Sequence, residues 1–175
     1  MFDYWRFEDK RPHEQILAVI RRHPVFLLKG IIIILGLLIL TIGALVFFKL
    51  SVISLIAAII GIIFIILVSY YYLYLWYNDI YVLTDERIID IDQNGLFNRT
   101  LAETSLDQIQ EVKIEVKGPM ESIFGFGKII VQTAGPSENL ILELTPKPFS
   151  AQRVINKAIY DYRKKIGIDR EVQNA

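Results

Sequence analysis

Asp90-Ile91-Asp92-Gln93-Asn94-Gly95 opens like a calcium loop, with oxygen donors at alternate positions and a glycine at the sixth. The acid that must close such a loop at its twelfth position is replaced by Leu101, and no helical flank precedes the segment. It therefore reads as a strand with Asp90 and Asp92 toward solvent, ending in an Asn94-Gly95 turn that tolerates the positive φ of a tight hairpin. Gly125-Phe126-Gly127-Lys128 resembles a phosphate loop only in its glycines, because the spacing is wrong and Ile129 stands where a hydroxyl would meet magnesium. The two histidines, His13 and His23, precede the first apolar run, and the chain has no cysteine. A nucleophile would lack its usual base, and a metal its usual soft ligands. No catalytic, metal-binding or cofactor-binding residue is assigned, no cofactor is expected, and the chain reads as a non-enzyme.

Composition narrows the classes further. The 175 residues are 53% hydrophobic and carry 19 basic against 19 acidic side chains. From Asn78 onward there are 12 Lys or Arg against 15 Asp or Glu, which is the reverse of the basic field that nucleic acid or a general anionic-lipid surface requires. Nucleic acid is not an expected partner. Absence of cysteine fits a reducing compartment.

What must position any site is dominated by two apolar runs, Val25 to Phe48 and Leu50 to Tyr77, the first broken only by Lys29 and the second by no charge. Each exceeds the roughly 20 residues that cross a bilayer core, and as helices they would be about 36 and 42 Å long. Arg21, Arg22 and His23 before the first run, against a lone Lys49 between the two, place both termini in the cytoplasm by the positive-inside bias. A signal peptide is a poor alternative, since the first apolar run is far longer than the usual apolar region of such a peptide and a second run follows at once. Tyr70, Tyr71, Tyr72, Tyr74, Trp76 and Tyr77 form an aromatic belt suited to the membrane interface. Gly36 and Gly43, two turns apart, and Ser54, Ala57, Ala58 and Gly61 are small residues expected to let the helices approach. The expected division is a cytoplasmic segment 1–23, a transmembrane hairpin 24–77, a folded domain 78–166 and a flexible tail 167–175.

Beyond the belt the pattern becomes short and alternating, which marks strands. They are expected at Ile80 to Thr84, Arg87 to Gln93, Phe97 to Thr104, Ile109 to Val116, Lys128 to Thr133 and Asn139 to Leu144, with a short turn or helical piece at Met120 to Phe124. From Pro148 the apolar period becomes helical through Phe149, Val154, Ile155, Ala158, Ile159 and Tyr162, with Arg163-Lys164-Lys165 at the negative end of the dipole and a stop at Gly167. Ile16, Leu17, Val19 and Ile20 allow either a short amphipathic helix or a strand added to the sheet, and we favour the strand.

Tyr81-Val82-Leu83-Thr84-Asp85-Glu86-Arg87-Ile88-Ile89, then Leu106-Asp107-Gln108-Ile109-Gln110-Glu111-Val112, then Phe124-Gly125-Phe126-Gly127 and Val131-Gln132-Thr133-Ala134-Gly135 follow one another along the chain. This ordered series resembles the bacterial pleckstrin-homology-like family, in particular its YdbS-like membrane-anchored branch, over residues 12 to 165. Tyr81, Leu83, Thr84, Arg87, Ile109, Gly125, Gly127 and Gly135 carry the likeness. The resemblance implies an α+β fold in which a two-helix transmembrane hairpin is followed by a PH-like antiparallel sheet or partly open barrel of about seven strands, capped by one C-terminal helix. It also implies binding or scaffolding rather than catalysis, at the cytoplasmic face of the cell membrane. The expected partners are the bilayer itself and a protein, or a second copy, on an exposed strand edge or groove. Sensing of a lipid headgroup or small ligand and service as an accessory subunit of a transport or envelope complex are the alternatives. Headgroup binding is disfavoured because Asp85-Glu86 occupies the loop where eukaryotic relatives place basic residues.

Overall fold

The apolar alternation beyond the belt, together with the stretch before the first run, folds into seven strands among the described residues of the computed structural model. The structure describes residues 11, 13–49, 51–134 and 139–173, the last six by their backbone alone. Two compact units emerge. One gathers the described residues of Met1–Arg21, Ile80–Ile91 and Leu101–Ala175, and the other holds Arg22–Asp79 and Asp92–Thr100.

In the first unit β1 (Ile16–Arg21), β2 (Ile80–Thr84), β3 (Arg87–Gln93) and β4 (Arg99–Ser105) form an antiparallel sheet in that order, its far ends carried over into the second unit. A single 3-10 turn, Leu106–Gln108, leads into a second sheet of β5 (Ile109–Glu115), β6 (Phe126–Thr133) and β7 (Leu140–Pro146). Tyr81, Leu83, Ile88, Leu106, Ile109, Ile129, Val131 and Leu142 meet between the sheets, and Ala151, Ile155, Ala158 and Ile159 of α4 (Pro148–Gln173) close the same core. Strand β2 buries its other face too, where Val82 packs with Ile89 and Ile91. The Tyr81 hydroxyl accepts the Glu143 amide (2.9 Å), tying β2 to β7.

The seventh strand is β1, which precedes the apolar helices in sequence yet pairs with β2 beyond them, Val19 opposite Val82 and Arg21 opposite Ile80. Two local expectations change. The Asn94-Gly95 turn is a five-residue loop closed by the Asn94 amide on the Asn98 carbonyl (2.9 Å), and of its residues only Gly95 takes a positive φ, so β4 starts at Arg99 rather than Phe97. Helix α4 passes Gly167 and continues to Gln173. Gly167 has no positive φ and so is not a C-cap; a glycine inside a helix costs about 1 kcal/mol, which need not end it.

In the second unit a 3-10 turn, Pro24–Leu27, precedes α1 (Leu28–Phe47), and α2 (Val52–Asn78) follows. His23 Nδ1 accepts the Val25 amide (3.2 Å) and Ser51 Oγ the Ser54 amide (3.4 Å), so each segment opens on a side-chain cap. Both are long and apolar enough to cross a membrane, and Ile32, Ile39, Leu40, Val46, Val52 and Ile53 stand exposed along them. The close approaches are not where the spacing of small residues on α1 put them. A Cβ on Gly30 would lie 2.7 Å from the Tyr72 ring and one on Gly61 would run into Thr41 Oγ1, whereas Gly36 and Gly43 face open space.

Candidate functional site

Among the described residues strand β5 is an edge of its sheet, and α4 runs beside it. Between them Gln110, Glu111, Val112, Asn156, Tyr160 and Arg163 line a groove of about 240 Å³, floored by Ile109 and Ile159. Helix residues partly cap the strand's backbone: Arg163 donates to the Ile109 carbonyl (2.7 Å) and Gln152 to that of Val112 (2.7 Å). These are long polar side chains, removable by rotation, on an edge that otherwise presents main-chain groups to an incoming strand. A shelf of apolar floor, aromatic wall and cationic end suits an extended peptide better than a reacting molecule. Among the described residues no three His, Cys, Asp or Glu side chains gather as metal ligands.

Two buried ionic clusters lie elsewhere. Arg87 on β3 is 4% exposed and donates through Nε to Glu14 Oε1 (2.9 Å) and through an Nη to Glu14 Oε2 (3.1 Å), while its other Nη meets Glu103 of β4. Burial opposes the Glu14 charge most strongly, but bonds from Arg87, the Arg11 amide and Thr84, with the Arg87 charge, together hold its carboxyl below the usual range. The adjoining β2–β3 loop is taken by the same N-terminal segment: Asp85 Oδ1 accepts the Gln15 amide (2.7 Å), and Glu86 pairs with Arg11 (3.4 Å).

The second cluster stands at the end of α2. Arg22 reaches Asp79 (2.7 Å) and Asp92 (3.6 Å), the Gln93 amide donates to Asp79 Oδ1 (2.6 Å), and Trp76 Nε1 donates to the Arg22 carbonyl (2.8 Å). Burial and then the Asp92 carboxylate push Asp79 up to about 6, against the Gln93 amide and Arg22. Asp92, expected on a solvent face, instead turns to Arg22, with Oδ1 buried and accepting no hydrogen bond.

The order of strands, the two-sheet core closed by α4 and the helix pair agree with one family pattern, and a family model described as bacterial PH domain matches residues 24–159. The chain belongs to that family. The PH match takes in both apolar helices and the first half of α4, up to Ile159, and it does not separate the membrane-anchored branch from the rest. Among solved structures, a pleckstrin-homology-domain protein from Shewanella loihica PV-4 is 20% identical, with a TM-score of 0.38 over 46% of this chain and 70% of its own. A pleckstrin homology domain from Shewanella amazonensis SB2B is 22% identical, with a TM-score of 0.39 over 46% of this chain and 66% of its own. No curated protein matches the chain.

The residues that carried the PH resemblance turn out to be placed for folding. Tyr81, Leu83 and Ile109 share the core, and Thr84 Oγ1 closes the β2–β3 turn by accepting the Arg87 amide (2.9 Å). Gly125 caps α3 (Pro119–Phe124) in the left-handed region. A Cβ on Gly127 would meet the Glu115 carbonyl at 2.9 Å. Gly135 lies outside the described residues. Only Ile109 of these reaches the groove. In the belt, Tyr72 covers Gly30 and Trp76 holds Arg22, while Tyr70 stacks with Tyr74 at 6.2 Å and Tyr71 meets Tyr72 edge-on; Tyr70 and Tyr77 are exposed. Sequence reading missed Asn156, Tyr160 and Arg163 as groove residues. Asn156 and Tyr160 recur at helical spacing on a face that is not the core stripe, the one available signal.

Proposed function

We propose that this PH-family protein is a noncatalytic interaction module held at the cytoplasmic face of the cell membrane by residues 24–77, with the folded domain over 78–166 and both termini inside. Its groove between β5 and α4 receives an extended segment of a protein partner, which adds to β5 while Tyr160 and Ile159 take its side chains. The observation that carries the reading is the edge strand flanked by that lined groove. Membrane residence is supported by two helices whose exposed surfaces are apolar and by Arg21 and Arg22 ahead of the first. Headgroup sensing at the first hairpin has less support, because Asp85 and Glu86 are acidic and already engaged by the N-terminal segment.

A photocrosslinking residue placed at Tyr160 in the full chain, in native membranes, should capture a discrete protein neighbour or a second copy. The same residue at Asp161, on another face of α4, should not. Equal capture at both, or none at Tyr160, would remove the groove from the proposal. Release of the chain by alkaline carbonate would remove the membrane.

A further inference from the structure

The β3–β4 loop is built to display apolar side chains. Gly95, at φ 121°, turns the chain, the Asn94 amide closes it on Asn98, and the buried Gln93 amide group braces it from within by donating to the Gly95 carbonyl (2.7 Å) and the Asn98 carbonyl (3.3 Å). A loop held this firmly still leaves Phe97 95% exposed, with Leu96 exposed beside it. A phenylalanine offered whole to water by a braced loop is not a side effect of disorder and points to a partner.

The position of the loop identifies that partner. Residues Asp92–Thr100 belong to the compact unit of the apolar helices. Strand β2 leaves the end of α2, and β3 returns to it, Ile91 lying opposite Ile80. Gln93 therefore comes back level with the helix end, where its amide bonds Asp79 at 2.6 Å, and the loop continues on the side of α2. Phe97 is four residues beyond Gln93, within about 14 Å of chain. The aromatic belt ends at Tyr77, two residues before Asp79, and such rings mark the headgroup level. The loop Asn94–Asn98 contains no acid, and the exposed Arg99 follows it, a favourable sign beside anionic lipid.

We infer that Leu96 and Phe97 insert into the interface of the bilayer crossed by α1 and α2, making the β3–β4 loop a third membrane contact that fixes the orientation of the helix ends. This rests on the membrane-spanning reading and adds a lipid-facing site to it. Apolar insertion is distinct from headgroup recognition, since no cationic cradle is required.

The chain lacks cysteine, so Phe97→Cys, Leu96→Cys and, in the apolar stretch of α2 ahead of the aromatic belt, Ile60→Cys each give one labelling site. Each full-length variant is labelled with an environment-sensitive fluorophore in vesicles of phosphatidylcholine and phosphatidylglycerol. At 96 and 97 we expect blue-shifted emission, quenching by lipids spin-labelled near the headgroup and protection from aqueous iodide, with quenching at 60 by lipids spin-labelled near the chain end. Free iodide quenching at 96 and 97 while 60 stays lipid-quenched overturns the insertion and leaves the spanning helices standing. Protection from both quenchers at 97 means that protein covers the loop, and also overturns it. Lack of lipid quenching at 60 defeats the spanning reading itself.

Discussion

Glu14 and Asp79 are both buried carboxylates beside an arginine, yet their surroundings drive them in opposite directions. Glu14 takes two bonds from Arg87, whose remaining Nη goes to the well-exposed Glu103, and another from a backbone amide, and its carboxyl is held below the usual range. Asp79 shares Arg22 with Asp92, and its proton affinity rises. Proximity to an arginine does not define a salt bridge; the ratio of donors to buried oxygens does. The first cluster clasps the N-terminal segment on the sheet and gives way only on acidification. The second, at the foot of the helices, is conditional on pH.

The clasp breaks hardest. Arg87→Met leaves Glu14 charged and enclosed, and stability should fall by about 3–5 kcal/mol, the range for stranding one partner of a buried pair. The measurement is the denaturation midpoint of the full chain in detergent micelles. Arg87→Met with Glu14→Leu should recover much of that loss, because the desolvation cost of both charges disappears together. A double variant as weak as the single would mean that the bonds to Glu103 and the Arg11 amide, rather than the Glu14–Arg87 pair, carry the clasp.

Asp79 gives a smaller, pH-dependent effect. Its folded value of about 6 exceeds its ordinary 3.8, so folding takes up a proton. The associated stabilisation is complete below pH 3.8 and is lost as the pH rises through 6, on the order of 2 kcal/mol. Glu14 behaves oppositely: its folded value lies below 4.5, so its contribution is present above that pH and is lost on acidification through the folded value. Between about pH 4.5 and 6 the slope is then dominated by Asp79. Asp79→Asn should flatten stability across that window while leaving the acid limb in place. An unchanged slope would return Asp79 to ordinary surface behaviour.

Helix packing offers a contrast of similar or smaller size. Gly61→Ala pushes a methyl into Thr41 and should cost about 1–3 kcal/mol by overpacking, whereas Gly36→Ala meets open space and should be neutral or slightly stabilising. Thermal unfolding of the two variants side by side in micelles separates them. Equal losses would mean that Gly36 has a neighbour as close as Gly61 does.

These contrasts mark what the sequence could and could not disclose. Strands β2 and β3 were legible to the residue because Ile80 to Thr84 and Arg87 to Gln93 carry local alternation and a turn between them, and the helical run after Pro148 was equally plain. Asp92 alternates correctly and was read as solvent-facing; its actual partners, Arg22 and Asp79, come together only after the chain has traversed both helices. Glu14 and Arg87 are separated by the same detour. Periodicity reports which face of an element is apolar, but not which distant segment will cover it. The groove was hidden for the same reason: Gln110 and Tyr160 are unexceptional until β5 becomes an edge and α4 lies beside it.

The smallest predicted effect separates the two causes of the Asp79 shift. Burial is the larger, the Asp92 charge the lesser. Asp92→Asn removes the like charge and leaves Asp79 enclosed, so the midpoint of the pH-dependent loss should move below 6 without reaching 3.8, and stability at neutral pH should rise by no more than about 1 kcal/mol. A titration of stability against pH for this variant, beside the parent, reads both quantities. Complete return to 3.8 would make repulsion the governing cause and would class Asp79 and Asp92 as a carboxyl pair; no movement would leave burial alone. The intermediate result is expected because Arg22, 2.7 Å from Asp79 and 3.6 Å from Asp92, compensates the two charges unequally.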